Sequence, residues 1–379
     1  NKKSVFLLGF KFYKSNNDSQ QGPGSSNIDA DFEFRLLDFP NYNNQSSYNY
    51  PNLNYAVFGE NIFYLSKNFS ITPGFRFEYI KTESDGFYKK INLDGAGNVI
   101  LNKTIDDSEI RKRNFFLFGL GVSFKPTKAL EFYGNISENY RSVTFADISI
   151  SNPAYSISPE ISDENGFTFD LGLRGDYYKK FSYDIGLFSL FYNDRIGFVQ
   201  KAYKDGSVKS EKGNVGNAVM YGIESLIDFD LNEIFIKNNN YSFNYFINSS
   251  FISSKYTKSD EPGVMGKKVE FVPKLNLKSG FKFGYKNLML NIQYTYLSRQ
   301  FTDASNAVNS NLSGVIGQIP SYDILDFSAS YLFEKFKIET GINNLLDNVY
   351  FTRRATGYPG PGIIPSQPRS IYLTVQFKI

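Results

Sequence analysis

The sequence contains no cysteine, no histidine and no tryptophan among its 379 residues. Without cysteine it can form no disulfides, no thiolate nucleophile and no cysteine-ligated metal site. Without histidine it lacks the commonest general base and the commonest ligand for transition metals. Because serine–histidine and aspartate–histidine pairs are impossible here, we expect neither an enzyme nor a resident metal or cofactor.

Long apolar runs are also missing. No stretch of about 18 apolar residues occurs, which excludes a membrane-spanning helix. The mean hydropathy of −0.34 would ordinarily indicate a soluble protein. One membrane architecture is compatible with it, because a spanning β-barrel alternates lipid-facing with lumen-facing residues and stays polar on average. The formal net charge is only +3 and the basic residues do not cluster, so nucleic acid is not an expected partner.

Aromatic side chains are abundant, with 38 Phe and 28 Tyr. Such rings suit β-strands, and they also suit the headgroup level of a membrane, where one end is apolar and the other is hydrated. Outer-membrane barrels carry aromatic girdles at both interfaces. In this chain Phe and Tyr would have to form those girdles alone.

Alternation with a period of two recurs along the chain. Between Phe116 and Lys125 every second residue is apolar, and the residues between them are mostly small or polar. Successive side chains of a strand point to opposite faces, so each such segment has one apolar face. The pattern predicts fourteen antiparallel strands, at 3–13, 53–65, 69–84, 113–125, 129–141, 166–177, 181–203, 208–230, 241–258, 268–286, 288–303, 321–333, 336–352 and 368–379.

The predicted connectors alternate between short and long. Tight reversals such as 66–68, 126–128 and 178–180 are separated by long polar connectors at 14–52, 85–112, 142–165, 304–320 and 353–367. This arrangement is typical of an outer-membrane barrel, with its short turns in the periplasm. A soluble β-sandwich or propeller is the alternative from pattern alone. It is disfavoured because there is no repeat of 40–50 residues and because several strands are long.

Several motifs then narrow the class. The stretch 341–350, GINNLLDNVY, is similar to the "NLFD-x-x-Y" signature that precedes the last hairpin of TonB-dependent receptors, and 368–372, PRSIY, resembles the opening of their final strand. The segments 57–61 with 71–78, 138–143, 183–197 and 221–224 resemble further barrel motifs of the same family in the same order. Ser142 stands where the family usually has Pro, and Ile379 where it usually has Phe. The closing segment most resembles receptors grouped with the ferric dicitrate transporters.

The resemblance implies a fold and a function. Family barrels have about 22 strands and an N-terminal plug preceded by a TonB box, so we expect this chain to be the C-terminal fourteen strands, at 1–379, with the plug and eight strands outside it. The implied activity is import of an iron chelate, ferric citrate or a siderophore, across the outer membrane of a Gram-negative bacterium. The implied partners are the TonB–ExbB–ExbD complex, the chelate, and outer-membrane lipid or lipopolysaccharide.

Candidate ligand-binding residues are those in long connectors or at the strand ends beside them. Guanidinium groups present a fork of donors that matches carboxylates, so a polyanionic chelate should meet arginine. The candidates are Arg141, Arg195, Arg299, Gln300, Arg353, Arg354 and Tyr358. The Arg353–Arg354 pair is the preferred site, because it adjoins a connector stiffened by Pro and Gly.

Other motif residues are expected to serve the scaffold. Gly74, Gly222 and Gly341 should relieve crowding or allow bends in strands. Asn343, Asn344 and Asp347 should bond to backbone near a strand end.

Alternative functions remain open at this point. A passive porin or structural barrel without a plug is the main one, and a soluble all-β binding protein is another. Haem import is disfavoured by the missing histidines. Glycan importers of the SusC type share the architecture but differ in their closing motifs.

Overall fold

The computed structural model describes residues 3–24, 33–42, 45–148, 155–202, 208–311, 314–355 and 362–378. Within these ranges nearly all regular structure is β-strand. The strands are β1 (Ser4–Gln21), β2 (Ser46–Tyr64), β3 (Phe69–Leu93), β4 (Val99–Thr127), β5 (Leu130–Arg141), β6 (Tyr155–Ile157), β7 (Glu164–Tyr177), β8 (Phe181–Ala202), β9 (Val208–Asp230), β10 (Tyr241–Lys258), β11 (Leu275–Tyr285), β12 (Leu288–Leu297), β13 (Gln300–Phe301), β14 (Gln318–Ile319), β15 (Tyr322–Phe333), β16 (Phe336–Asn343), β17 (Phe351–Ala355), β18 (Gly362–Pro365) and β19 (Ser370–Phe377). A four-residue helix, α1 (Phe145–Ile148), and one π-helical turn (Asn232–Ile236) complete the elements.

Fourteen of these strands form one continuous sheet. Its order is β1-β2-β3-β4-β5-β7-β8-β9-β10-β11-β12-β15-β16-β19, and each neighbouring pair is antiparallel. The predicted fourteen-strand meander is therefore confirmed. The short strand β6 adds a parallel pairing to β9, and the pairs β13–β14 and β17–β18 make two small separate hairpins. These three additions all lie in long connectors.

Strand lengths differ from the prediction mainly in the first half of the chain. The predicted connector 85–112 is largely strand, because β3 and β4 stay paired until Leu93 meets Val99. Beyond the membrane both faces of a strand meet water, so the apolar alternation ends while the backbone pairing continues. In contrast, β11 begins at Leu275 instead of 268, and β16 ends at Asn343 instead of 352.

The two faces of the sheet have opposite character. On β4 the residues Phe116, Phe118, Leu120, Val122 and Phe124 are 37–58% exposed, and the cross-strand register continues this apolar face onto β3 and β5. Their outward rings contact neighbouring rings of the same face, and the reverse face above Lys125 is mostly small or polar, although it includes Phe115 and Leu117. An apolar outer face suits lipid and a polar inner face suits a water-filled lumen.

Aromatic rings cover glycines on the inner face. A side chain on Gly222 would come within 2.1 Å of the backbone oxygen of Phe251, and one on Gly341 within 2.6 Å of the Tyr372 ring. Crowding therefore explains both glycines, as predicted. Gly74 would meet its nearest neighbour only at 3.5 Å, so crowding does not require glycine there.

The sheet has two edges, β1 and β19, which do not pair with each other among the described residues. None of the described helices is long and apolar enough to cross a membrane. In the described part of the chain, the buried apolar clusters lie where the long connectors gather. One comprises Val199, Val215, Ala218, Tyr256, Val264, Val269 and Ala304. This end of the sheet, which we call the mouth, carries the predicted ligand-binding residues.

Candidate ligand site at the mouth

The predicted candidates that the structure describes map to the mouth, where the long connectors join the strands. Arg141 ends β5, and Arg195 lies in the part of β8 above the β7–β8 short turn. Arg299 follows β12, and the pair Arg353–Arg354 lies in β17. Tyr358 lies outside the described residues, so its predicted role stays a prediction.

Arg195 is committed to a buried network. Its Nη1 lies 2.5 Å from Glu270 Oε1, and the two side chains are 18% and 3% exposed. The Tyr256 hydroxyl donates to the other Glu270 oxygen at 2.8 Å. This trio joins β8, β10 and the connector 259–274, so the guanidinium is neutralised inside the fold.

Arg141 is likewise paired with carboxylates. Its Nη1 lies 2.6 Å from Glu164 Oε1, and its Nη2 lies 3.4 Å from Asp147 Oδ2. The other Asp147 oxygen contacts Lys212 Nζ. Burial would raise the pKa of the Asp147 carboxyl, but the bonds from Lys212 and from Thr144 outweigh it and hold that pKa below its usual value. A second charge network therefore ties α1 to β5, β7 and β9.

A third network was not found from the sequence. Arg113 Nε lies 2.7 Å from Asp163 Oδ2, and the other Asp163 oxygen accepts the Val143 amide at 2.7 Å. Tyr140 also donates to Asp163. The partners Arg113 and Asp163 are 50 positions apart along the chain, and no sequence spacing marks them as a pair. Together these networks fix the described segments 142–148 and 155–163 of this connector against the wall.

The connector 259–274 forms a strap that folds back over β10. Its amide at Gly266 donates to Tyr256 O, and its amide at Val269 donates to Ser254 Oγ. A second connector then lies on the strap, because Phe271 N donates to Phe301 O. Backbone bonds therefore hold two connectors as one unit.

Arg354 makes a different set of contacts. It donates from Nη1 to Gly314 O at 2.8 Å and from Nη2 to Gln318 O at 2.9 Å, and it stacks over the Phe351 ring. It forms no ion pair with any described carboxylate, and its Nε has no hydrogen-bond partner. Burial lowers its pKa. Arg354 thus ties β17 to the segment 314–318 while its charge stays uncompensated.

The remaining candidates divide by exposure. Arg299 and Arg353 are exposed, and no ion pair forms on either within the described ranges. Gln300 is buried opposite Ile319 in the β13–β14 hairpin. Among the described residues, three mouth arginines therefore have no carboxylate partner: Arg299, Arg353 and Arg354. Whether any of the predicted residues binds ligand stays a prediction.

The scaffold predictions at the last hairpin have mixed outcomes. Asn344 bonds to the backbone of Asn348 in both directions, and Asp347 accepts the Arg369 amide, as expected. Asn343 instead donates to the Ser370 side chain. These bonds close the segment between β16 and β19.

Below the mouth the inner wall is concave and acidic. A depression of about 660 Å³ is lined by Asp170, Asp184 and Glu224. Tyr133 donates to Asp184 at 2.7 Å and Ser250 donates to Glu224 at 3.2 Å. Within the described part of the chain, no group of His, Cys, Asp and Glu side chains has the arrangement of a metal site.

The antiparallel sheet has an apolar outer face, a polar inner face and long connectors gathered at one end. These features define the wall of an outer-membrane β-barrel. The family model for the TonB dependent receptor-like beta-barrel matches residues 3–345. The chain therefore belongs to the TonB-dependent receptor family, as the motifs predicted. Members of that family are Gram-negative outer-membrane proteins, and the location of this chain follows. The family comprises receptors and transporters rather than enzymes.

Solved structures share the fold at low identity. The ferric citrate transporter FecA matches with a TM-score of 0.71 and 19% identity, over 100% of this chain and 52% of FecA. The copper transporter OprC matches with a TM-score of 0.70 and 14% identity, over 99% of this chain and 56% of OprC. The ferric yersiniabactin uptake receptor FyuA from Yersinia pestis matches with a TM-score of 0.65 and 17% identity, over 88% of this chain and 46% of FyuA. The chain thus spans about half the length of these proteins.

Proposed function

We propose that this chain is the barrel wall of an active outer-membrane importer for an iron chelate, ferric citrate or a siderophore, energised through TonB with ExbB and ExbD. Family membership supports coupling to TonB. FecA is a ferric citrate transporter and FyuA is a ferric yersiniabactin uptake receptor, so the cargo of both proteins is an iron chelate. OprC is a copper transporter of the same fold, so cargo has to be argued from the mouth of this chain.

The observation that carries the proposal is the uneven pairing of the mouth arginines. Arg141 and Arg195 are neutralised by buried carboxylates, whereas Arg299, Arg353 and Arg354 have no carboxylate partner among the described residues. A polyanionic chelate would supply the missing negative charge, and its carboxylates would suit the guanidinium fork. A bare copper cation would be repelled by the same groups.

The test is binding of ferric citrate and of a ferric siderophore to the full-length receptor, followed by quenching of Tyr fluorescence. Because a hydrogen bond to a charged group contributes about 1.5–3 kcal/mol, each of Arg353→Gln and Arg354→Gln should weaken binding by roughly tenfold or more. Lys67→Gln is the control, since Lys67 lies in a short turn on the opposite rim. The Lys67→Gln variant should bind both chelates with the affinity of the wild type.

Uptake of radiolabelled iron by cells then distinguishes the importer from a passive barrel. Uptake that needs TonB supports the proposal, and uptake unchanged in cells lacking TonB supports the porin alternative. Unaltered chelate affinity in both arginine variants would reject the site while leaving the importer in place. Binding of Cu²⁺ with no binding of either chelate would reject the cargo.

A further inference from the structure

The lumen side of β11 carries a column of three lysines, Lys274, Lys278 and Lys282. Asn276 pairs with Ser250, and Ser250 pairs with Glu224 of the inner wall, so the even-numbered residues of β11 face the lumen. Lys278 and Lys282 therefore both lie on the inner face. They are four residues apart on one strand, which separates their Cα atoms by about 13 Å at ~3.3 Å per residue.

Lys274 extends the column to the mouth. The Ile252 amide donates to its backbone oxygen at 2.9 Å, which continues the register of β10 and β11 by one pair and keeps Lys274 on the lumen side. β11 has 11 residues, and about ten tilted residues cross the hydrocarbon layer, so Lys274 lies at the outer boundary. The Ser298 amide donates to Leu275 O, which places the unpaired Arg299 at the same end of β11. The column thus begins beside the candidate ligand site.

The lysines of the column have no counter-charge within the described part of the chain. Each of them is exposed, and none forms an ion pair. The cross-strand neighbours of the two deeper lysines are all uncharged polar residues: Asn248 and Thr295 beside Lys278, and Asn244 and Asn291 beside Lys282. The ammonium groups are therefore available to an anion in the lumen.

The wall on the other side of β10 has the opposite charge. Asp170, Asp184 and Glu224 line the depression on β7, β8 and β9, and no described cation forms an ion pair with any of them. Their hydrogen-bond donors, such as Tyr133 and Ser250, are uncharged. A wall lined by one sign of charge repels ions of that sign, so an anion in the lumen is favoured on the β11 side.

We propose that the lysine column is an anion relay, which passes a carboxylate-bearing chelate from the mouth down the β11 side of the lumen. The relay rests on the chelate import proposed above and adds the route of the cargo. A lysine ammonium is a compact charge on a flexible four-carbon stem, so neighbouring lysines can contact one anion in turn. Several weak sites in series suit transport, because the cargo must leave each site as readily as it enters.

The test is uptake of radiolabelled ferric citrate by cells that carry the full-length receptor, together with ferric citrate binding to the purified receptor. The double variant Lys278→Gln, Lys282→Gln removes charge below the mouth. It should lower the maximal uptake rate at least fivefold and leave the dissociation constant within twofold of the wild type. The double variant Lys278→Arg, Lys282→Arg keeps both charges and should retain most of the uptake rate.

Lys11→Gln is the matched control. Lys11 faces the same lumen from β1, is exposed and forms no ion pair with a described residue, but it lies outside the column. Its uptake rate should stay within twofold of the wild type. An equal loss in Lys11→Gln would show that any lumen lysine has this effect, and it would overturn the relay.

A further readout separates a route for the cargo from a contact that holds a plug domain in the lumen. Lysines that fasten a plug would, once removed, let large solutes through without TonB, so vancomycin sensitivity is measured in cells lacking TonB. The glutamine double variant should be as resistant as the wild type. Leakage, an unchanged uptake rate in that variant, or failure of the arginine variant to retain uptake would each overturn the relay. If the wild type itself shows no TonB-dependent uptake of ferric citrate, the proposed function for this cargo is rejected, and the relay with it.

Discussion

Replacing Glu270 by Gln should release the strap 259–274 from the mouth. The substitution keeps the size of the side chain but leaves the Arg195 guanidinium, 18% exposed, without its buried counter-charge. Removing one partner of a buried ion pair costs about 3–5 kcal/mol. Since the strap is a connector and not part of the sheet, the loss should appear as local opening while the barrel stays folded.

Hydrogen exchange of the strap amides measures this opening. The amides of Gly266 and Phe271 donate to Tyr256 O and Phe301 O. A loss of about 3 kcal/mol corresponds to exchange that is faster by roughly a hundredfold. Glu261→Gln is the matched control, because Glu261 lies in the same connector and its contact with Lys201 is 3.4 Å long and partly exposed. That pair should contribute less than about 1 kcal/mol.

The double variant Arg195→Met, Glu270→Gln separates the effect of the uncompensated charge from the effect of packing. If the cost of the single change comes from an uncompensated charge, removing the charge should restore most of the protection. Exchange in the double variant that is as fast as in Glu270→Gln would show that the loss came from packing. Exchange in Glu270→Gln that equals the wild type would show that the buried pair does not hold the strap.

Two further predictions concern the inner face and the helix of the mouth. Gly222→Ala should destabilise the barrel by about 1–3 kcal/mol in urea unfolding, because the added carbon would lie 2.1 Å from the Phe251 backbone oxygen. Gly119→Ala is the control and should be tolerated, because its nearest contact would be 3.5 Å away. The lowered pKa of Asp147 means that its ion pairs stabilise α1 fully above the unfolded value of about 3.9 and lose that effect as the pH falls through the lowered folded-state pKa. The protection factors of amides near α1, corrected for the slower intrinsic exchange in acid, should begin to fall as the pH is lowered from 6 to 3, and Asp147→Asn should abolish that pH dependence.

The sheet could be predicted from the sequence because a membrane imposes a simple rule on it. Most lipid-facing positions are apolar, so alternation identifies the strands and their outward faces, as at Phe116 and Phe118. The rule stops at the membrane boundary. That is why the ends of β3 and β4 were underestimated, since their pairing out to Leu93 and Val99 leaves no apolar signal.

The candidate site was less predictable because its electrostatics depend on distant partners. The sequence placed Arg141 and Arg195 at the mouth but could not show that Glu164 and Glu270 neutralise them. Glu270 is 75 positions from Arg195, and only the folded connector brings it back over β10. Local spacing identified the bonds of Asn344 because those partners lie within four residues.

The unequal strand lengths determine how far each hairpin projects beyond the membrane. β3 has 25 residues, and about ten of them suffice to cross the hydrocarbon layer. The remainder raises the Asp94–Asn98 reversal by on the order of 35 Å above the bilayer, at ~3.3 Å per residue and 45° tilt. The apex of this hairpin, with the exposed Ile100 beside it, therefore projects farther from the bilayer than the shorter hairpins of the same sheet.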